Sequence, residues 1–287
     1  MSIQFKQVSY IYQPKSPYEH RALENVNTVF KDGQYYAIVG RTGSGKSTLM
    51  QHINALLKPS SGEVIVNDQH VGNKTKDKYL HTVRKSVGLV FQFPEAQLFE
   101  DTIERELLFG PRNFNMAEEQ VLTRAHQLLR DFGFGENVMQ LSPFQLSGGQ
   151  MRKIAIISIL AMDPDIIMLD EPTAGLDPES KKQVMAIIKR LQVEEGKTII
   201  LITHDMNDVA QYADEVKVMK NGTVVETLSP RQLFSDIQLV NELHLELPHI
   251  VQLQNDLEAK YQTRFNYQAM TEEEFADLYQ RWRSDER

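Results

Sequence analysis

Apolar and polar residues alternate over the first thirty positions, on either side of a proline-containing loop near position 15. Alternation with a period of two is typical of strands with one buried face, so this region predicts an antiparallel strand pair. Short apolar runs further along the chain predict strands at 34–39, 62–66, 87–91, 166–169 and 198–202. The last two runs are uninterrupted, which suits a parallel sheet that is buried on both faces.

Helical spacing of apolar residues lies between these strands. It predicts helices over 47–57 and 178–195, and a longer helical region between them. Within that region, residues 118–131 form the clearest amphipathic segment. We therefore expect an α/β core with an inserted helical subdomain at about 95–162.

The C-terminal part of the chain differs in charge from the rest. Residues 231–287 hold eleven acidic and six basic side chains. Ser229 before a proline predicts the start of a helix, and Thr271 with Glu274 predicts a capping box at the start of another. We expect a first domain at 1–235 and a helical extension at 236–287. The pattern leaves open whether the last helix packs on its own domain or faces a partner.

Composition limits the possible functions. The chain has 31 Lys and Arg residues against 39 Asp and Glu residues, and this net charge of -8 disfavours nucleic acid as a partner. No cysteine is present, which excludes disulfides and thiolate metal sites and fits a reducing compartment. The longest uncharged stretch in the apolar-rich second half, 154–162, is far shorter than the ~20 residues that span a bilayer.

A glycine-rich loop follows the predicted strand at 34–39. Residues 40–47, GRTGSGKS, match the pattern G-x-x-x-x-G-K-[ST] between a strand and a helix. In such a loop the backbone N–H groups surround the β-phosphate, Lys46 reaches the β and γ oxygens, and the Ser47 hydroxyl ligates Mg²⁺. A triphosphate and Mg²⁺ are therefore the predicted ligands. The predicted binding residues of this loop are Gly40, Thr42, Gly43, Ser44, Gly45, Lys46, Ser47 and Thr48.

Two carboxylates follow the apolar run at 166–169. Asp170 is the candidate Mg²⁺ ligand, because a metal-bound triphosphate needs a carboxylate at a neighbouring strand end. Glu171 is the candidate general base for the attacking water. Such a pair is by itself more often an ordinary strand end, and the phosphate loop is what favours the catalytic interpretation.

A second glycine-rich helix start lies at 146–150, LSGGQ. It offers exposed amides without a lysine of its own, and one triphosphate does not need two such cradles within a chain. This points to a site shared between subunits, in which Ser147, Gly148, Gly149 and Gln150 bind the nucleotide of another subunit. A serine N-cap with flexible glycines is the competing interpretation.

Together these motifs resemble the nucleotide-binding subunits of ABC transporters over about residues 3–235. The resemblance implies a P-loop ATPase core with a parallel sheet, an antiparallel β subdomain and the inserted helical subdomain. It also implies a head-to-tail dimer in which LSGGQ contacts the γ-phosphate of ATP on the opposite subunit.

The resemblance assigns roles to further residues. Gln92 would belong to the Mg²⁺ and catalytic site and link it to the membrane partner. Asp177, in AGLD at 174–177, would lie in the loop that couples the two nucleotides. His204 would contact the γ-phosphate and align Glu171 with water. Tyr12 would stack on adenine, and Tyr10 is the alternative.

Segments 91–100 and 144–162 are similar to those of energy-coupling factor transporters, and more narrowly to the second of their two paralogous ATPases. Arg41 and Asn115 depart from the residues common there. The resemblance implies three partners: a paralogous ATP-binding subunit, a transmembrane coupling protein and a substrate-binding membrane protein. It also implies uptake of vitamins or metal ions, a position on the cytoplasmic face of the cell membrane, and an extension that holds the ATPase pair together.

Five carboxylates are candidates to pair with arginines of the coupling protein, although a solvated acidic helix explains them equally well. They are Glu95, Glu100, Asp101, Glu104 and Glu106.

Other functions remain possible on these residues. One is a homodimeric ATPase of another ABC transporter. A DNA-repair type of ABC ATPase is disfavoured, because no sustained heptad array lies between Lys46 and Asp170 and the tail is acidic. A nucleotide binder without hydrolysis is disfavoured by the presence of Glu171 and His204.

Overall fold

A computed structural model describes residues 2–285 of the chain. In these residues ten strands form two sheets, one of four strands and one of six. The strands are β1 (Ser2–Tyr12), β2 (His20–Lys31), β3 (Tyr35–Val39), β4 (Ser61–Val66), β5 (Gln69–Gly72), β6 (Val87–Val90), β7 (Ile166–Asp170), β8 (Thr198–Ile202), β9 (Glu215–Lys220) and β10 (Thr223–Leu228).

The four-stranded sheet has the order β2-β1-β4-β5 and is antiparallel throughout. Ile3 on β1 lies opposite Phe30 on β2 and Val66 on β4. All three side chains are buried, because alternate positions of these strands face the core. The predicted N-terminal strand pair is confirmed, and it forms part of a separate antiparallel layer.

The six-stranded sheet has the order β10-β9-β3-β8-β7-β6. Neighbouring strands from β9 to β6 run parallel, and β10 is an antiparallel edge strand. Every residue of β3 and β8 is buried, as the uninterrupted apolar run at 198–202 predicted. Because the central strands are parallel, the carboxyl ends of β3, β6, β7 and β8 meet at one edge of the sheet.

Eleven α-helices lie within the described part of the chain. They are α1 (Lys46–Ile53), α2 (Leu80–Ser86), α3 (Ile103–Asn113), α4 (Glu118–Asp131), α5 (Gly148–Leu160), α6 (Pro178–Glu195), α7 (Met206–Tyr212), α8 (Pro230–Ser235), α9 (Ile237–Glu242), α10 (His249–Tyr261) and α11 (Glu272–Asp285). The helices predicted at 118–131 and 178–195 are confirmed with the same bounds. The helix predicted over 47–57 ends earlier, at Ile53, and Ala55 just beyond it has a left-handed backbone with φ 54°.

Helices α3, α4 and α5 form the predicted helical subdomain and pack on one another through a buried apolar cluster. That cluster continues into the parallel sheet through Leu169 on β7 and Leu201 on β8. The LSGGQ segment at the start of α5 is therefore joined to the parallel sheet by continuous packing.

The C-terminal helices share a third apolar cluster with the core. Val251 of α10 and Met270 lie in the same cluster as Met206 and Val209 of α7 and Val216 of β9. The domain boundary between residues 235 and 236 stays a prediction. The shared cluster shows that the C-terminal extension packs directly against α7.

The predicted capping box at the start of α11 is half formed. Thr271 Oγ1 accepts a hydrogen bond from Glu274 N at 3.2 Å. The Glu274 carboxylate does not return a bond to Thr271 N, since it accepts from Met270 N at 2.9 Å and pairs with Arg231. The acidic side chain thus joins the start of α11 to α8.

Candidate nucleotide site

The carboxyl edge of the parallel sheet holds an open cleft of about 320 Å³. Loops that leave β3, β6, β7 and β8 bring together groups that are far apart in sequence. The lining includes Tyr12, Thr42, Gly43, Gly45, Lys46, Ser47, Thr48, Gln92, Asp170, Glu171 and His204. Most of the residues predicted to bind or hydrolyse the nucleotide therefore lie together at this edge.

The loop between β3 and α1 has the backbone shape that its glycines allow. Gly45 precedes α1 with φ 102°, and Gly40 has φ 142°. A Cβ on Gly40 would lie 2.2 Å from the Met219 carbonyl oxygen, so the loop can approach β9 this closely only without a side chain there. The loop thereby exposes its amides in front of the start of α1.

Lys46 is held within this loop. Its ammonium group donates to the carbonyl oxygens of Gly40 at 2.7 Å and Arg41 at 3.1 Å. Burial lowers the pKa of Lys46, while the nearby carboxylates of Asp170 and Glu171 oppose that shift. A cation at the centre of the loop favours a bound polyphosphate.

Ser47 and Asp170, the two residues predicted to bind the metal at this edge, contact each other. The Ser47 hydroxyl donates to Asp170 Oδ2 at 2.8 Å. Burial raises the pKa of Asp170, although the Ser47 hydrogen bond opposes this shift. One hydroxyl and one carboxylate fit Mg²⁺, which binds proteins through one or two side chains and completes its shell with phosphate oxygens and water.

Glu171 lies between two side chains from other strand ends. Its Oε2 accepts from Gln92 Nε2 at 3.2 Å, and its Oε1 lies 3.1 Å from His204 Nε2. The Glu171 N–H donates to the Ile202 carbonyl at 2.9 Å, which ties β7 to β8 just before His204. Glu171 also has a left-handed backbone, with φ 49°.

The structure separates the two candidate tyrosines. Tyr12 lines the cleft, and its hydroxyl lies 3.3 Å from Thr48 Oγ1 on α1. Tyr10 packs against the core, with its ring centroid 4.8 Å from that of His52. This placement supports Tyr12 over Tyr10 as the partner of adenine, which stays a prediction.

The LSGGQ segment lies outside this cleft. Ser147 caps α5, and Gln150 closes a capping box, with its Oε1 accepting from Ser147 N at 3.0 Å. Ser147 and Gly148 are exposed, and a Cβ on Gly148 would meet nothing within 4 Å. The segment is thus a folded, accessible surface rather than part of its own chain's phosphate site.

Asp177 also lies outside the cleft. It is the N-cap of α6, and its Oδ1 accepts from Ser180 N at 2.9 Å. The hydrogen bond from the Ser180 backbone N–H is the main reason that the pKa of Asp177 is lowered. The predicted contact of Asp177 with nucleotide across a dimer stays a prediction.

Comparisons with known proteins identify the family of the chain. The family model for ABC transporters matches residues 23–174. The chain is 61% identical over 287 residues to the energy-coupling factor transporter ATP-binding protein EcfA2 of Staphylococcus saprophyticus, with the whole of both chains covered. It is also 61% identical over 286 residues to the protein of that name from Staphylococcus epidermidis, again with the whole of both chains covered.

The chain belongs to the ATP-binding proteins of ABC transporters. Within that family it groups with the energy-coupling factor ATP-binding proteins. Solved ABC structures support the fold. The CbiO1 structure from Clostridium perfringens, described as part of the ABC transporter complex CbiONQ, has 35% identity and a TM-score of 0.71, over 88% of this chain and 98% of that one. A dimeric ATP-binding cassette bound to ADP and Pi has 34% identity and a TM-score of 0.70, over 80% and 99%.

One contact of this ABC subunit was not predicted from the sequence. Arg152 on α5 is buried and forms two hydrogen bonds to the Glu95 carboxylate, at 2.8 and 2.6 Å. Its guanidinium group also lies 5.5 Å from the Phe93 ring centroid. The pair joins the helix that starts at LSGGQ to the segment that follows Gln92.

Two of the five carboxylates predicted to meet the coupling protein are drawn into the interior by their contacts within the chain, which argues against that role for them. Glu95 is bound by Arg152. Glu106 is buried and accepts from the backbone N–H groups of Phe99 at 2.9 Å and Glu100 at 3.0 Å. Glu100, Asp101 and Glu104 stay candidates, although Asp101 pairs with Arg105 and Glu104 accepts from Gln140 Nε2 at 2.9 Å.

The structure also bears on the membrane question. Between residues 2 and 285, none of the helices combines the length and the apolar character that a transmembrane segment requires.

Proposed function

We propose that this ABC subunit binds MgATP in the cleft at the carboxyl edge of the six-stranded sheet and hydrolyses it. The observation that carries the proposal is the placement of Glu171. Its carboxylate is held by Gln92 and His204 and lies beside the Ser47–Asp170 pair. A carboxylate fixed next to a phosphate and metal site is the arrangement that water activation requires.

In this mechanism the glycine loop and Lys46 bind the phosphates and orient the γ-phosphoryl group. Glu171 accepts the proton of the attacking water, and His204 holds the carboxylate and the γ-phosphate in line. Mg²⁺, bound by Ser47 and Asp170 with Gln92 close by, would neutralise charge on the β and γ oxygens. Tyr12 would stack on the adenine ring.

The active dimer is proposed to be head to tail with a paralogous ATP-binding subunit. The exposed start of α5 supports this, because Gly148 lies at the first helical position, where a backbone N–H has no acceptor within the helix. Gly149, Gln150 and Asp177 would complete the partner's site. The dimer would drive a transmembrane coupling protein and a substrate-binding membrane protein for vitamin or metal-ion uptake, at the cytoplasmic face of the membrane. Co-purification of those proteins supports this assembly, and recovery of a homodimer contradicts it.

The test of hydrolysis is Glu171→Gln in the assembled complex. The variant keeps the shape of the side chain, but it replaces one acceptor oxygen with an NH₂ group and removes the base. We expect MgATP binding to persist and turnover to fall at least tenfold, since a general base contributes roughly 10²–10⁴. Glu194→Gln, an exposed position near the end of α6, is the matched control and should hydrolyse at the wild-type rate. Unchanged turnover of Glu171→Gln would exclude this role.

A further inference from the structure

Asp205, which follows His204, is held by contacts from helix α7 and from helix α6. Asp205 Oδ1 accepts from the backbone N–H of Asn207 at 2.8 Å and from its Nδ2 at 2.9 Å, which caps α7. Asp205 Oδ2 accepts from Lys181 on α6 at 2.5 Å. The position of the His204 backbone therefore depends on how these groups hold the Asp205 carboxylate.

Asn207 is in turn bound by the C-terminal extension. Its Oδ1 accepts from the backbone N–H of His249 at 2.8 Å. His249 is the first residue of α10, where N–H groups have no acceptor within the helix, and Pro248 before it provides no side-chain cap. Asn207 supplies that missing acceptor from another element.

Apolar packing reinforces this polar contact. Val251 of α10 is buried in the cluster that holds Met206 and Val209 of α7. A movement of α10 is therefore transmitted to α7 both by the hydrogen bond and by close-packed side chains.

We propose that Asn207 is a positioning residue through which the extension sets the placement of His204 against Glu171. The chain of contacts runs from the His249 amide to Asn207, to Asp205 and so to the adjoining His204. The inference rests on the proposed function, because it concerns the same histidine. Alignment at a reacting centre is sensitive to small displacements, and a shift of about 1 Å can cost roughly 10² in rate. The extension thereby contributes to catalysis without touching nucleotide.

The chain offers a clean way to remove this one bond. His249→Pro deletes the N–H at the first helical position, where proline is favoured, and Pro248 already has the extended backbone that precedes proline, with φ -55° and ψ 145°. His249→Ala is the matched control, since it keeps the N–H and removes only the exposed imidazole. Asn207→Ala removes the acceptor from the other side.

The measurement is steady-state ATP hydrolysis by the assembled complex. We expect His249→Pro to lower kcat about three- to tenfold, the effect of one hydrogen bond, with KM for ATP within about twofold of wild type. His249→Ala should leave both constants within about twofold. Asn207→Ala should also lower kcat, and adding His249→Pro to it should slow hydrolysis no further.

Several results would overturn the inference. They are wild-type kcat in His249→Pro, an equal loss in His249→Ala, a rise in KM without loss of kcat, or additive losses in the double variant. A purely structural role would instead lower the unfolding temperature of His249→Pro and leave kcat of the folded complex unchanged. Absence of hydrolysis by the wild-type complex would refute the proposed function itself, which separates the two failures.

Discussion

His204 Nε2 lies 3.1 Å from Glu171 Oε1. The other carboxylate oxygen of Glu171 accepts from Gln92 at 3.2 Å, so both oxygens are held by side chains that follow different strands. The parallel order of β6, β7 and β8 is what brings these three residues to one edge. The orientation of the Glu171 carboxylate is therefore a property of the sheet and not of one loop.

The adenine contact is tested by changing the tyrosine in the cleft. Tyr12→Ala should weaken ATP binding roughly 5- to 150-fold, because stacking of a base on an aromatic ring contributes about 1–3 kcal/mol. Tyr12→Phe keeps the ring and should bind nearly as wild type. Calorimetric titration of the Glu171→Gln background with MgATP measures the difference. Equal affinity of the Ala and Phe variants would remove Tyr12 from the site.

The shared site is tested by a side chain added at Gly148. A Cβ there meets nothing within 4 Å of its own chain, so Gly148→Ala should leave the unfolding temperature unchanged or slightly raised. ATP hydrolysis by the complex should nevertheless fall at least several-fold, because in the proposed dimer these amides would face the partner's nucleotide. Gly135→Ala, which is equally unobstructed, is the control and should keep full activity. Full activity of Gly148→Ala would contradict the composite site.

The metal ligand is tested through stability and pH. Burial raises the pKa of Asp170. The stability that the protonated Asp170 side chain contributes is therefore complete below its pKa in the unfolded chain, and it is lost as pH rises through its pKa in the folded protein. At neutral pH the ionised side chain therefore destabilises the fold. In EDTA, Asp170→Asn should therefore melt at a higher temperature than the wild type.

The higher melting temperature of Asp170→Asn should disappear below the ordinary aspartate pKa of about 3.9. MgATP should raise the melting temperature of the wild type and not of Asp170→Asn. A variant that is stabilised by MgATP as strongly as the wild type would show that Asp170 is not a ligand.

The buried ion pair is tested with Glu95→Gln. The Arg152 hydrogen bond lowers the pKa of Glu95, so this stabilisation is present above the unfolded pKa and is lost as pH falls through the folded pKa. Removing the charge leaves Arg152 buried without a counter-ion, and the free energy of unfolding at neutral pH should fall by roughly 2–3 kcal/mol. Asp101→Asn breaks an exposed pair with Arg105 and should change it by less than about 0.5 kcal/mol. If both variants lost a similar free energy of unfolding, the Arg152–Glu95 pair would contribute no more to stability than an exposed ion pair.

Local sequence patterns predicted the central strands from their uninterrupted apolar runs and the longer helices from the helical spacing of their apolar residues. The run at 198–202 is apolar throughout and is buried throughout. Strand β9 has no such signal, since Lys217 interrupts its apolar residues. The lysine is nevertheless buried, because Glu215 lies 2.7 Å from its ammonium group and the Phe30 ring lies 5.5 Å away.

The candidate site was predictable where the chemistry is contiguous in sequence, as in the phosphate loop and the Asp170–Glu171 pair. The Arg152–Glu95 pair was not, because nothing local links an arginine to a carboxylate 57 positions away. The use of Glu106 as a backbone acceptor was missed for a related reason: a charged residue on a helix is usually solvated, and only its burial shows otherwise.

The left-handed backbone of Glu171 places the stability of the fold and the rate of ATP hydrolysis in conflict at one position. A non-glycine residue in this conformation costs on the order of 1–3 kcal/mol, which glycine would recover. On the proposed mechanism, drift toward greater thermal robustness would favour glycine here and would remove the base. A lineage that no longer needs ATP hydrolysis should therefore lose this glutamate early, whereas one that depends on hydrolysis should keep it.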